Sequence, residues 1–464
     1  MSVSMVVVGF CFTRWRRVPR ILVMPRSLVL LVYNIFLPVL FVIAFPAWLL
    51  KMWRRGGYGT GLRERFAIFD ALPSEEPQNV IYVHAVSVGE VLIALKLITA
   101  MLEKEASLRI VLAATTSTGH AVAKAKAPEG VRVIYSPLDF GVIVCAVLNR
   151  FSPRRIVLIE AEMWPNLLRI AQKRNIPVSI VNARLSSRSE ARFRKMRCLV
   201  TPIFDMVSWI GVQDAGDGKR FEALGVESEK IHVTGSIKFA PLDGQRPKRR
   251  EPFQELLDDF VSGGSGARPV LLMASTHAGE EKMIASAVKR SGADVTMVVV
   301  PRHAERRAEV VADLASVGYE PILKTDYRRP EPSENACLVV DTTGELCDWT
   351  AHADWVVIGK SWLGKGGQNP AEAIIAGVPV ICGPHMENFQ PLVSQLCAQG
   401  GVMMLNSGED LDDLLQKLVS GEIDTSFMVG CAEEVLHYHK HAVEKTLELL
   451  EVNASVRNEK RVEE

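Results

Sequence analysis

From about residue 80 onward, short runs of β-branched and other apolar residues alternate with stretches in which apolar positions recur every three or four residues. The first spacing belongs to strands and the second to amphipathic helices. Strands are predicted over 80–83, 109–113, 132–135, 155–159, 178–181, 208–212 and 231–234, with helical periods such as 91–102 and 164–173 between them. A second series starts at Val270 and continues over 295–300, 319–323, 337–340, 355–358, 378–381 and 402–405. Strand and helix alternating in this way fold as doubly wound parallel sheets, so the chain is expected to be α/β, with two Rossmann-like domains facing a cleft. Residues 57–240 and 269–451 are the expected domains. Residues 241–268, with Pro, Gly and a basic run at 246–250 around one short helix, read as the linker. The charged stretch 452–464 reads as a flexible tail.

The pattern before residue 57 is different. Residues 27–50 carry no charge and are mostly apolar. As a helix they would reach about 36 Å, against roughly 30 Å of bilayer hydrocarbon, so residues 1–56 read as a basic extension and a membrane anchor. The run is long, starts late and ends in Trp48 and basic residues, which does not fit a cleaved signal peptide. Five arginines precede it (Arg14, Arg16, Arg17, Arg20, Arg26), and Lys51, Arg54, Arg55, Arg63 and Arg65 follow it. Basic flanks on both sides leave orientation open and suit a helix lying on an anionic leaflet as well as one crossing it. Asn34, Pro38 and Pro46 inside the run favour the shallow arrangement.

Charge and cysteine content narrow the function classes. Lys and Arg number 54 against 53 for Asp and Glu, so no global field points to nucleic acid. None of the eight cysteines forms a C-x-x-C pair, and reduced buried thiols are expected. No strand is followed by G-x-G-x-x-G, which argues against a nicotinamide dehydrogenase.

Open α/β sheets bind ligands at the carboxyl ends of their strands, and several unusual segments fall there. His84-Ala85-Val86-Ser87-Val88-Gly89-Glu90 follows the first strand. Glu90 is either a helix-start carboxylate favoured by the dipole or a general base. Ile159-Glu160-Ala161-Glu162-Met163-Trp164-Pro165-Asn166 places two carboxylates after a buried strand, where they need a charged or hydroxylic partner; Pro165 at a helix start explains Glu162 better than Glu160. Lys238, in Thr234-Gly235-Ser236-Ile237-Lys238-Phe239, is a phosphate contact or a solvated linker lysine. In the second half, Pro301 and Arg302 close a strand, and the guanidinium fork of Arg302 suits a phosphate or a pyrimidine edge. Thr343, Gly344 and Glu345 follow the next strand, where glycine lets backbone N–H groups approach a ligand. Asn369, Pro370, Ala371 and Glu372 read both as a capping box and as a helix start that offers N–H groups to a phosphate and a carboxylate to ribose. Asp410-Leu411-Asp412 has a metal-binding spacing but opens an amphipathic helix, so capping is the better reading and no catalytic metal is expected.

The motifs HAVSVGE, IEAEMWPN, VNARLSSRS, VTGSIKF, ASTHAGEE, VPRHAER, DTTGEL and GGQNPAEA, in this order over residues 58–390, closely resemble the 3-deoxy-D-manno-octulosonic acid (Kdo) transferases of lipopolysaccharide assembly. The resemblance implies a GT-B glycosyltransferase with an N-terminal membrane-anchor helix at the cell inner membrane, catalytic domains on the cytoplasmic side. It implies CMP-Kdo as donor, a lipid A precursor (lipid IVA) as acceptor, inversion at the sugar and no cofactor. By the same resemblance Glu90 matches the proton acceptor, and Glu160 and Lys238 match groups that stabilise the transition state. Pro301, Arg302, Thr343, Gly344, Glu345, Asn369, Pro370, Ala371 and Glu372 match CMP contacts. Ser87, Arg184, Ser236, His277 and Lys360 stand in or beside these motifs as possible donor or acceptor contacts.

The chain departs from the family pattern in its glycine-rich loop. Lys360 stands where small residues are usual, Lys365 where Arg is common and Gln368 where His is common. Two other classes share the coarse pattern. One is a different GT-B enzyme acting on a UDP-sugar, a lipid-linked hexosamine transferase or a 2-epimerase; the other is a membrane-tethered nucleotide-binding module without catalysis. Competition by CMP against UDP separates the first, and retention of Glu90 with the paired motifs argues against the second.

Overall fold

A computed structural model describes residues 24–55, 60–69, 79–160, 163–185, 187–239, 246–261, 268–328, 335–390 and 392–451. The basic extension before residue 24, the tail after 451, and Glu162 and Ser186 of the motifs lie outside the described residues. The chain divides into two units, one of residues up to Lys238 together with those from His441 on, the other Phe239–Lys440.

In the first unit β1 (Ile81–Ala85), β2 (Ile110–Ala114), β3 (Arg132–Tyr135), β4 (Arg155–Ile159), β5 (Val178–Ala183), β6 (Trp209–Val212) and β7 (Ile231–Val233) form one sheet in the order β3-β2-β1-β4-β5-β6-β7. In the second, β8 (Val270–Thr276), β9 (Thr296–Pro301), β10 (Glu320–Leu323), β11 (Ala336–Val339), β12 (Trp355–Ile358), β13 (Val380–Cys382) and β14 (Met403–Met404) pair as β10-β11-β9-β8-β12-β13-β14. Every pairing is parallel, and β1, β2, β4, β5, β8, β9 and β12 are buried along their full length. Burial on both faces is why these strands read as continuous apolar runs rather than as alternation. Two such sheets in one chain constitute the GT-B architecture. Because the strands are parallel, all carboxyl ends of a sheet share one edge, and each candidate site segment follows such an end.

Eight helices matter below: α1 (Arg26–Arg55), α2 (Val88–Lys104), α3 (Gly141–Phe151), α4 (Pro165–Lys173), α5 (Ser187–Lys195), α6 (Arg197–Phe204), α7 (Glu280–Ser291) and α8 (Ala371–Ala376). Residues 26–47 of α1 are long and apolar enough to cross a membrane by length and composition. The helix is nevertheless part of the first unit's core. Val29 and Leu30 are buried among α4 and α6 residues such as Leu167, Ile170 and Ile203, and burying two such side chains contributes about 3–6 kcal/mol before ordering costs. Tyr33 donates its hydroxyl to Asp139 at 2.9 Å, and Asn34 exchanges amide hydrogen bonds with Asn166 at 2.9 and 3.1 Å. Asp139 in turn accepts the N–H groups of Asn166 and Leu167, both at 2.9 Å, in the first turn of α4, where a carboxylate meets the positive end of the helix. At the other end of the chain, Lys104 lies 2.8 Å from Glu451, which brings the last described residues back to the first unit.

Candidate active site

In the first unit the β1–α2 turn places Glu90. Ser87 is the N-cap of α2, its hydroxyl accepting the N–H of Glu90 at 3.3 Å. The Glu90 carboxylate reaches back to accept the N–H of Val86 at 2.8 Å and of Ser87 at 3.2 Å. A capping box is therefore present, and the residue is 6 % exposed. Each carboxylate oxygen receives one backbone donor, so each keeps a lone pair to accept another proton.

Glu160 follows β4 with φ 59°, a left-handed conformation costly for a residue with a side chain, and its N–H donates to Val181 at 2.9 Å. Burial raises the pKa of its carboxyl; the like charge of Glu90 adds to this, while Arg184 and Lys238 oppose it. Burial lowers that of Lys238, against the pull of Glu160 and with Arg184 adding to the shift. These mutual influences place Glu90, Glu160, Arg184 and Lys238 in one electrostatic group. Ser236 is buried beside it, its hydroxyl 3.4 Å from Asn182 Oδ1.

Three residues not singled out from the sequence hold this group. Asn182, at φ 55° in β5, accepts the Ile237 N–H at 2.8 Å and so fixes the turn that carries Lys238. His84 stacks on Trp164 at 4.9 Å and approaches Thr115 and Ser136 at 3.3 Å; burial pushes its pKa down to about 4, so its ring is neutral near pH 7. Trp164 thereby ties the segment after Glu160 to the β1 end that precedes Glu90.

In the second unit Pro301 is buried at the end of β9 and Arg302 is exposed just beyond it, its N–H bonded to Thr276 O at 3.0 Å. Thr343 and Gly344 are exposed after β11, and a Cβ added at Gly344 would meet nothing within 4 Å, so its backbone is open to a ligand. Glu345 accepts from Lys324 at 2.7 Å and from Trp349 Nε1 at 3.2 Å. Burial works against ionisation there, yet hydrogen bonds led by that of Lys324 hold its carboxyl below the ordinary glutamate range.

The segment Asn369–Glu372 corrects the capping-box reading of the sequence. Helix α8 starts at Ala371 with Pro370 as its cap, Asn369 Oδ1 accepts the Ala371 N–H at 3.2 Å, and Glu372 accepts from the Asn369 side chain at 3.3 Å, not from its backbone. The Asp410 reading stands: Asp410 closes a capping box with Ser407, and Asp412 pairs with Arg290 at 2.6 and 2.8 Å. Among the described residues no group of three or more His, Cys, Asp or Glu is arranged to hold a metal ion.

His277 and Lys360 meet around a carboxylate that the sequence reading passed over. Glu280, fully buried, accepts the backbone N–H of His277 at 2.9 Å, Lys360 at 2.6 Å and Trp362 at 3.1 Å. It locks the β12 loop to the β8 loop. Lys360 sits there at φ 56°, and at Gly359 a Cβ would lie 2.3 Å from Ser275 O, so only glycine fits the crossing. Burial lowers the His277 pKa, with Lys360 among the neighbouring cations adding to the shift, and Gln368 lies 3.1 Å from its Nε2. Glu281, equally buried, binds Thr276 at 2.8 Å and Arg306 at 2.8 Å. Two acids opening a helix straight after a buried strand were the legible signal for both. Glu280→Gln leaves one acceptor oxygen for three N–H groups, and a stranded buried donor costs about 1–3 kcal/mol. Urea unfolding of the variant should show a loss of that size, and an unchanged midpoint would remove Glu280 as the lock.

Comparison with known proteins identifies the family. Residues 60–241 match the family model of 3-deoxy-D-manno-octulosonic-acid transferases (kdotransferases). The chain is similar to a 3-deoxy-D-manno-octulosonic acid transferase of Haemophilus influenzae, 31 % identical over 398 residues that cover 85 % of this chain and 91 % of that one. It is also similar to one of Bordetella pertussis, 30 % identical over 426 residues covering 87 % and 95 %. Among solved structures, a putative UDP-N-acetylglucosamine 2-epimerase of Listeria monocytogenes superposes with a TM-score of 0.54 at 13 % identity, over 82 % of this chain and 97 % of that one. The UDP-GlcNAc 2-epimerase of Neisseria meningitidis gives 0.53 at 14 %, over 80 % and 99 %. At such identities the two epimerases share the fold alone. The two transferases share nearly a third of their residues with this chain along almost their whole length, and this chain belongs to the 3-deoxy-D-manno-octulosonic acid transferase family.

Proposed function

We propose that this protein transfers Kdo from CMP-Kdo onto a lipid A precursor of the lipid IVA type at the cytoplasmic side of the inner membrane, with inversion at the sugar. The observation that carries the reading is the group of Glu90, Glu160, Arg184 and Lys238, two carboxylates and two cations at the carboxyl ends of one sheet. Glu90 takes the proton of the acceptor hydroxyl as its oxygen bonds to the anomeric carbon. The bond from that carbon to the phosphate oxygen breaks, and CMP leaves with the electron pair. Positive charge developing on the sugar is met by Glu160, and negative charge developing on the phosphate by Lys238. In the second unit Pro301, Arg302, Thr343 to Glu345 and Asn369 to Glu372 hold CMP, and Lys360 with His277 faces the donor's carboxylate. Ser87, Arg184 and Ser236 line the acceptor side. No step in this scheme requires a cofactor or a metal ion.

The test is to incubate the purified full chain with CMP-Kdo and lipid IVA in detergent and weigh the lipid products. Each transfer adds one Kdo residue, CMP should compete better than UDP, and chelator should leave the rate unchanged. No mass gain, or stronger competition by UDP, would overturn the assignment in favour of a UDP-sugar enzyme.

A further inference from the structure

We infer that α1 is an in-plane element: its inner face is built into the first unit, and its outer face, extended by Ile68 and Val142, seats that unit in the surface of a bilayer without crossing it. The inference rests on the membrane association proposed above and decides its geometry.

The inner face is committed along more than half of the uncharged run. Val29, Leu30, Tyr33 and Asn34 make the contacts described above, and Phe41 packs edge-on against Phe140 at 5.4 Å and Phe66 at 6.3 Å. A residue held against Asp139, Asn166 and the aromatic rings of a water-soluble unit is not available to bilayer hydrocarbon. Beyond Phe41, residues 42–50 remain before the charge of Lys51. As helix they reach about 14 Å, less than half of the roughly 30 Å that a span requires. Crossing would require breaking the hydrogen bonds of Tyr33 and Asn34 and exposing Asp139, itself 5 % exposed.

The outer face is what a bilayer surface would take up. Leu28, Leu31, Ile35, Val39, Val42 and Leu50 recur at helical spacing and are exposed, with Ile43 at 72 %. Val142 is 84 % exposed and Ile68 51 %, each two residues from a ring that packs on Phe41. Ile68 and Val142 thus present exposed apolar side chains on two further segments that adjoin α1. Helix α6 packs on α1, and the adjoining α5 ends in Arg192, Arg194 and Lys195. An apolar strip beside a basic helix end matches an anionic leaflet, with hydrocarbon under the one and headgroups beside the other.

Two measurements test this on the full chain. An impermeant maleimide is applied to inverted inner-membrane vesicles and to intact spheroplasts, and labelled cysteines are mapped by mass spectrometry. Cys11 precedes α1, and the exposed Cys347 and Cys397 report the side of the catalytic units. We expect all three to label in inverted vesicles and none in spheroplasts; labelling of Cys11 from the opposite face to the other two would show that α1 spans. In the second measurement, purified protein is floated with vesicles of anionic phospholipid, and Ile68→Asp/Val142→Asp should lower partitioning by about tenfold or more at an unchanged melting temperature. Equal partitioning of the variant would overturn the extended patch. If wild type fails to float at all, the membrane reading itself fails. A dimer of the wild type that the double variant dissociates, without vesicle binding, would assign the face to a second copy of the chain.

Discussion

Glu90→Gln should lower kcat by about two to four orders of magnitude while CMP binding, measured by calorimetry, stays near that of wild type. The geometry makes the test sharper than loss of activity alone, because Glu90 has a capping duty in the structure beside the one proposed for it in catalysis. Its carboxylate closes the capping box with Ser87 and accepts the Val86 N–H, and losing one of these acceptors costs about 1–3 kcal/mol of stability. A cap alone predicts a variant that melts earlier but turns over normally below its melting point. A base predicts one that is folded, binds CMP and is nearly inactive. Glu90→Asp separates the duties further, since its shorter side chain keeps the charge but shifts the proton-accepting oxygens by about one bond length. Near-normal kcat in folded Glu90→Gln would leave Glu90 as a helix cap and move the base to another group.

Fold and site differ in how much of each the sequence exposes. The fourteen strands among the described residues are predicted within a few residues of where they lie, because strands buried on both faces are apolar throughout and are separated by polar helix faces. The candidate site segments are legible for a related reason: parallel strands put each candidate turn just after an apolar run, so Glu160 and Arg302 stand where the run stops and Glu90 opens the helix that follows it. What stays hidden is support by residues whose partners are distant in sequence. Asn182 holds a turn 55 residues on, Glu280 a loop 80 residues on, and Asp139 joins α4 to a helix more than 100 residues earlier. None of these pairings has a local period. The apolar run of α1 is legible as a membrane-anchor helix, but nothing in the run shows that Tyr33, Asn34 and Phe41 along one side also dock it to the first unit. Asn34, which disturbs a lipid-exposed helix, makes sense as a contact to Asn166.

Lys238→Ala should lower kcat by about two to three orders of magnitude, the usual cost of losing one preorganised charge-stabilising donor, whereas Arg302→Ala should chiefly raise the donor KM. The difference follows from where each cation sits. Arg302 is exposed in the second unit beside the segments proposed to hold CMP, where it would meet donor in ground state and transition state alike. Lys238, also exposed, sits in the first unit within the field of Glu160 and Arg184, so its charge is held ready before any substrate charge develops. Partial desolvation, which lowers the pKa of Lys238, also predicts a pH signature. The ammonium loses its proton below the ordinary lysine range, and in the proposed scheme the charged form is the one that stabilises the leaving phosphate. The kcat of wild type should therefore fall as pH rises through that depressed pKa. In Lys238→Arg the guanidinium stays charged, so the alkaline limb should disappear even if the absolute rate is lower. A fall in kcat with the limb intact would assign that limb to another group and leave Lys238 as a cation of ordinary basicity. A change confined to KM would make Lys238 a binding contact, and the stabilisation of the departing phosphate would then have to come from the second unit.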